Sequence, residues 1–221
     1  MNKEFISPVR KIKMNYLSPT GIFQSLKNGG SSVAFESMLE RNMFVTLEFD
    51  KSVKSYVEQP IKIVLQLKSR KTTYHPDCLI SYINGAIRLI EVKYTSELES
   101  KKDYFEEKFE ATKKYAVENG MEFGVFTEQD ILKEALANML FIYKWAFHEI
   151  QDEVKSTIKS IILQNNPITI NQLMALISEN KKEQLKMMPS IWKMILTNEL
   201  DIEDDLSDLT MNTNLRLGSN G

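Results

Sequence analysis

The sequence predicts a mixed α/β protein: a central mixed sheet flanked by helices, followed by a small C-terminal helical module. Three observations predict it. Residues 74–94, YHPDCLISYINGAIRLIEVKY, hold two runs rich in β-branched and aromatic residues around Asn84-Gly85, a strong hairpin signal. A charged helical stretch, SELESKKDYFEEKFEATKKYAVENG, then leads into the strand-like MEFGVFT, and strand–helix–strand implies a right-handed crossover and a mixed sheet. Beyond Glu149 the character changes to short helical segments divided by proline-containing breaks.

Taken in order, residues 1–30 carry Pro8, Pro19 and Gly29-Gly30 without regular periodicity. This reads as an irregular basic arm, with Arg10, Lys11, Lys13 and Lys27 as phosphate contacts or as a solvated terminus. Ser31-Ser32 opens an expected helix, VAFESMLERNMFVTLEF, with Ala34, Met38, Leu39, Met43 and Leu47 on its apolar side. Residues 50–60 read as a connector that becomes extended before Pro60. Residues 61–68 form a strand and SRKTT a basic turn; Lys68 at the strand end, with Arg70 and Lys71 in the turn, could meet phosphate.

In the charged helix, Tyr104, Phe105, Phe109, Thr112 and Ala116 make the core stripe and Gly120 the stop. Its lysines (Lys101, Lys102, Lys108, Lys113, Lys114) alternate with glutamates as a solvated face. Residues 129–148 read as one long helix. DEVKSTIKSIIL, ITINQLMALI and PSIWKMILTNEL follow as three short helices, separated at Asn165-Asn166-Pro167 and at Met188-Pro189. A β-like tail completes what resembles a winged-helix module. Its wing is acidic (Asp201, Glu203, Asp204, Asp205, Asp208), which opposes phosphate contact and favours a protein partner. The expected domains are therefore 1–30, 31–148 and 149–221.

Composition sets bounds on function. The 221 residues are 43% hydrophobic and 26% charged with a net charge of −2, ordinary for a globular chain of one large domain or two. No global basic field drives non-specific nucleic-acid binding. The single cysteine, Cys78, excludes a disulfide scaffold and reads as a small core residue. Neither His75 nor His148 has a partner at zinc-ligand spacing. No run approaches the ~20 apolar residues of a membrane span, so a cytoplasmic protein without membrane contact is expected.

The chemistry concentrates in the hairpin. Asp77 enters its first strand, and Glu91 and Lys93 close its second. Two carboxylates at a sheet end suit a hard cation, and a lysine two residues on shares the face of Glu91. Glu36 supplies a third carboxylate if its helix packs on the sheet. Asp77, Glu91 and Lys93 share a face only if paired positions sum to an even number. A two-residue loop, pairing Ile83 with Ala86, fails this test. The expectation is therefore a three-residue loop or a bulge, pairing Ile83 with Ile87 and setting Asp77 opposite Lys93.

The Asp77…Glu91-x-Lys93 pattern, with Pro76 before Asp77, resembles the PD-(D/E)xK restriction-endonuclease-like superfamily. Together with SSVAFESMLERNMFVTLEFD, VEQP, KFEATKKYA and EFGVFTEQDI, it resembles the TnsA endonuclease subunit of heteromeric bacterial transposases, over about residues 5–215. The resemblance implies a restriction-endonuclease-like fold and a magnesium-dependent DNA endonuclease, with manganese able to substitute. Such a subunit cuts the 5′ strand at transposon ends, beside a DDE transposase that cuts and joins the 3′ ends and an AAA+ ATPase regulator. Carried over by position, Glu36, Asp77 and Glu91 are metal ligands with the Val92 carbonyl, and Lys93 is the catalytic lysine. The rival readings are a stand-alone nuclease or resolvase, and a non-catalytic adaptor that binds DNA ends and recruits an ATPase.

Overall fold

A computed structural model describes residues 8–10, 19–67, 71–203 and 205–218. Lys11, Lys13, Lys68, Arg70 and Asp204 lie outside the described residues. The chain divides into two units, Met1–Ile131 and Leu132–Gly221.

The first unit opens with a hairpin of β1 (Gly21–Ser25) and β2 (Ser31–Phe35), then α1 (Met38–Phe49) and β3 (Val53–Glu58). A second hairpin, β4 (Ile63–Gln66) with β5 (Lys71–Tyr74), stands outside the main sheet. Next come β6 (Cys78–Tyr82), β7 (Ile87–Val92), α2 (Thr95–Ser100), α3 (Lys102–Glu118) and β8 (Glu122–Phe126). The main sheet runs β3-β6-β7-β8; its first two pairings are antiparallel, and β7 pairs with β8 in parallel. The mixed sheet flanked by helices fits a restriction-endonuclease-like fold, with α3 as the crossover between its parallel strands.

Two expectations at the start of this unit are corrected. Residues 31–35 are strand, not helix, because the helix is capped at Ser37: its hydroxyl accepts the Glu40 N–H at 3.1 Å. The Glu40 carboxylate returns a bond to the Glu36 N–H at 2.9 Å, closing a reciprocal cap. Residues 53–58, expected as connector, form the edge strand of the main sheet, since Val53 and Tyr56 bury apolar side chains against it.

The central strands are buried on both faces, which is why they read as continuous apolar runs: Cys78, Leu79, Ile80, Leu89, Ile90 and Val92 are each at most 5% exposed. On one face Leu79 and Leu89 join Ile63, Leu65, Leu67 and Tyr74 of the β4–β5 hairpin and Ala116 of α3. Elsewhere in the unit, Phe44 of α1 stacks on Tyr56 of β3 with centroids 5.4 Å apart.

The β6–β7 turn has the odd loop that the site requires. Ile83, Asn84 and Gly85 form it: Tyr82 N–H donates to the Ala86 carbonyl (2.9 Å) and Gly85 N–H to the Tyr82 carbonyl (3.1 Å). The register is Cys78↔Ile90 and Ser81↔Ile87, so the pairing lies one step from the expected one and Asp77 falls opposite Glu91 rather than Lys93. Gly85, at φ +87°, takes the left-handed position that closes such a loop. Gly85→Ala should cost about 1 kcal/mol, read as a lower denaturation midpoint with unchanged slope.

The second unit holds α4 (Lys133–Tyr143), α5 (Asp152–Gln164), β9 (Ile168–Thr169), α6 (Ile170–Ile177), α7 (Lys181–Leu196), β10 (Leu200–Ile202) and β11 (Asn214–Leu217). Its antiparallel sheet runs β10-β11-β9. The expected boundary after residue 148 moves to 131/132, because α4 packs within this unit. Phe141 lies edge-on to Trp192 of α7 (5.5 Å), and Asn138 donates to the Leu206 carbonyl (2.7 Å). The expected break at Pro189 is also corrected. Helix α7 runs through it, because Ile191, Trp192, Met194, Ile195 and Leu196 beyond the proline are all buried and offset the lost backbone bond.

Candidate active site

Asp77 and Glu91 arrive at one end of the sheet from neighbouring strands, and Lys93 follows β7 on the Glu91 face. Glu91 is 1% exposed, and every oxygen it offers is engaged. Its Oε1 meets Lys93 Nζ at 3.2 Å and Lys108 Nζ at 2.8 Å, and its Oε2 accepts a short bond from the Tyr74 hydroxyl. Asp77 Oδ2 accepts the Val92 N–H at 2.8 Å and meets Lys93 Nζ at 3.4 Å. The Val92 carbonyl accepts from the same Nζ at 2.9 Å, and the Lys93 N–H donates to Phe126 of β8 at 3.0 Å.

One ammonium is therefore ringed by Asp77 Oδ2, Glu91 Oε1 and the Val92 carbonyl, from three of the four residues expected as metal ligands. Among the described residues no three His, Cys, Asp or Glu side chains converge as a metal-holding group. Asp77 and Glu91 are turned onto lysines, and the Glu40 carboxylate accepts from the Glu36 N–H and the Ser37 hydroxyl. The donor set nevertheless suits a hard divalent cation, since two carboxylates and a carbonyl already surround a positive charge.

Electrostatics follow from this burial. Burial first, then the charges of Glu91 and Glu40, push the Asp77 carboxyl up to about 7, against the pull of Lys93 and the Val92 N–H. Burial pulls the Lys93 ammonium down, but the Asp77 and Glu91 charges outweigh it and hold it above its ordinary value. Burial, the Glu91 charge and the hydrogen bond to Glu91 keep the Tyr74 phenol protonated far above its ordinary range.

The structure places Glu36 apart from this group. Its carboxylate accepts from Arg10 at 2.9 Å and from Gln59 Nε2 at 3.1 Å. Glu40, one helical turn on, is the α1 carboxylate that acts on Asp77 and feels Lys93. It is 8% exposed, and burial raises its own pKa. The sequence signal for Glu40 was available: Ser37 and Glu40 have capping-box spacing, which fixes where the helix starts and which glutamate faces inward.

Two further residues were missed. Lys108 was assigned to a solvated face, yet it is 8% exposed, with its ammonium 3.9 Å from the Tyr74 ring centroid and on Glu91. Gln59, in the VEQP stretch, is 2% exposed and holds φ +40°, uncommon for a residue with a side chain. Its N–H donates to the Asp77 carbonyl (2.9 Å) and its Nε2 to Glu36, so one strained residue ties both carboxylate-bearing segments.

Other candidates are placed elsewhere. Arg10 is spent on Glu36, and the half-buried Lys27 ammonium donates to the Asp50 and Val53 carbonyls at 2.6 Å, so neither stands free as a phosphate contact. Cys78 is fully buried, and burial pushes its thiol up, as suits a core residue. Burial and the Arg10 and Lys62 charges lower the His75 pKa, and His148 lies 3.3 Å from the Ser190 hydroxyl in the second unit. No helix among the described residues is long and apolar enough to cross a membrane.

Comparison with known families matches residues 50–128 to the TnsA-like endonuclease N-terminal domain. No curated protein matches the chain. The matched stretch runs from the end of α1 through β8 and contains Asp77, Glu91, Val92, Lys93 and Lys108. The part of the chain that carries the candidate active site is thus similar to the N-terminal domain of TnsA-like endonucleases.

Proposed function

We propose that the chain is the metal-dependent DNA endonuclease subunit of a cut-and-paste transposase, hydrolysing the 5′ strand at transposon ends beside a DDE transposase and an AAA+ regulator. The observation that carries this reading is the ring of Asp77 Oδ2, Glu91 Oε1 and Val92 carbonyl around one positive charge, inside the TnsA-like stretch. Asp77, Glu91 and the Val92 carbonyl would hold Mg2+ or Mn2+, with the charge of Glu40 bearing on Asp77. The cation would polarise the scissile phosphate and favour loss of a proton from the attacking water.

The remaining steps belong to the chain's own residues. Lys93 is two residues beyond Glu91 and carries a flexible ammonium, so once released from the three oxygens it can reach the phosphate and stabilise the charge that develops there. The Val92 N–H and the Gln59 N–H fix the side chain and the backbone of Asp77, which keeps its carboxylate oriented as Lys93 moves. Tyr74 stays protonated and serves only to orient Glu91.

For the second unit we propose a winged-helix reading and a partner-binding role. The order α5, β9, α6, α7, β10, β11 with an antiparallel β10-β11-β9 sheet supports the first. Acidic residues after β10 (Glu203, Asp205, Asp208) favour protein over phosphate as the partner.

The test is cleavage of end-labelled transposon-end duplex by the full chain. A 5′-strand nick is expected with Mg2+ or Mn2+ when the partner transposase is present, and none in excess chelator. Equal cutting in chelator, or no cutting with metal and partner together, would overturn the reading.

A further inference from the structure

The proposed reaction leaves one group without a role. Lys108 projects from α3 into the interior, where its side chain is 10% exposed and that of Glu91 is 2%. A lysine this buried is uncommon unless paired. Here it is enclosed on three sides: Glu91 Oε1 at 2.8 Å, the Tyr74 ring face at 3.9 Å and the Phe105 ring at 5.8 Å. The carboxylate and the aromatic faces together replace the water that the ammonium gave up.

Tyr74, which supports Lys108 from below, also donates its hydroxyl to Glu91 Oε2. Lys108 and Tyr74 therefore grip one oxygen each of the same carboxylate. Lys93 shares Oε1 with Lys108 but on a looser contact, 3.2 Å against 2.8 Å. A carboxylate oxygen has two lone pairs. If a cation takes the place of Lys93, the other lone pair of Oε1 stays with Lys108, and Glu91 keeps its orientation.

The charge balance points the same way. Three carboxylates bear on the site when ionised, Asp77, Glu91 and Glu40, against two ammoniums, Lys93 and Lys108. Glu36 is neutralised by Arg10. The site is thus short of one positive charge. A single divalent cation leaves it one unit positive, matched to one phosphodiester; a second would leave two units unneutralised by that phosphodiester within a low-dielectric cluster.

We propose that Lys108 is a positioning residue that holds Glu91 and, as a resident positive charge, limits the site to one divalent cation. This rests on the endonuclease reading above. It predicts a response opposite to that of a merely structural lysine. Removing the charge leaves the site more negative, so a cation binds more tightly although Glu91 is less well held and cutting is slower.

The experiment is direct Mn2+ binding to the full chain without DNA, followed by calorimetry, for wild type, Lys108→Met, Lys108→Gln and Lys108→Arg. Wild type and Lys108→Arg are expected to bind one ion. The methionine and glutamine variants should bind the first ion at least tenfold more tightly, or take up a second, while nicking kcat falls. Should Lys108→Met not fold, the glutamine variant carries the same comparison. One ion bound with unchanged or weaker affinity by the uncharged variants would overturn the role of Lys108 alone. Two ions on wild type would overturn the one-cation limit. No Mn2+ binding by wild type would overturn the endonuclease reading and this inference with it.

Discussion

Asp77→Asn is expected to lose nicking activity by about 10²-fold or more, and at the same time to melt at a higher temperature than wild type at pH 8. The first effect follows because an amide cannot carry the charge that a hard cation needs in a preorganised site. The second follows from linkage. The folded carboxyl sits at about 7 against an ordinary 3.8, raised by burial, by Glu91 and by Glu40. The folded state then holds a proton more tightly than the unfolded chain. Its stabilising contribution is complete below about 4 and is lost as pH rises through about 7. Asparagine never ionises and still offers an oxygen to the Val92 N–H. In chelator the variant should therefore be the more stable protein at pH 8, with the difference shrinking towards pH 4. Thermal melts at the two ends of that window check it, and a variant less stable than wild type at pH 8 would contradict the assigned burial of charge. DNA-end joining by a partner transposase should continue with this variant, since only the 5′ cut is lost.

Glu48→Ala is expected to destabilise the first unit by about 3–5 kcal/mol, lowering Tm by roughly 10 °C or more. Glu48 is 3% exposed and gathers the ends of three elements. Its carboxylate accepts from the Ser25 hydroxyl (2.6 Å), the Tyr56 hydroxyl (2.7 Å) and the N–H groups of Leu26 and Lys27 (3.2 and 3.3 Å). Alanine strands two buried hydroxyls and leaves two partly buried N–H groups without this acceptor. Glu48→Gln keeps one acceptor oxygen and should cost clearly less, so the difference between the two melts isolates the hydrogen bonds from the packing. A loss under about 1 kcal/mol for the alanine variant would refute the clamp. Because Glu48 shares α1 with Glu40, activity should fall in both variants in step with any displacement of that helix.

How much of this was legible depended on whether each signal was local. The β6–β7 hairpin, the α3 helix with its Gly120 stop and β8 were readable because periodicity and turn chemistry lie within a short window. The odd loop was readable too, because parity is a matter of counting, though which residue began the loop was not. The start of α1 was misplaced because Ser31-Ser32 and Ser37 both offer a cap, and only Ser37 has a glutamate three residues on. That error put Glu36 in the first turn of the helix, where the structure has Glu40. Lys108 was illegible for a different reason. A lysine among glutamates looks solvated until a distant segment, here Tyr74 and Glu91, encloses it. Pro189 misled in the same manner, since burial of the turn that follows outweighs a local rule.

The loop of Ile83, Asn84 and Gly85 has a consequence for how such a chain can change. It lies at the far end of β6 from Asp77, roughly 20 Å away at 3.3 Å per residue. Its three residues are all exposed. What the site needs is the strand register itself: a slip of one residue between β6 and β7 would turn Asp77 to the opposite side of the sheet from Glu91. Changes confined to the loop that keep this register are thus nearly neutral for chemistry, while a slip of the strands is lethal to it. In a lineage of such nucleases the loop would drift freely and the pairing of its two strands would stay frozen.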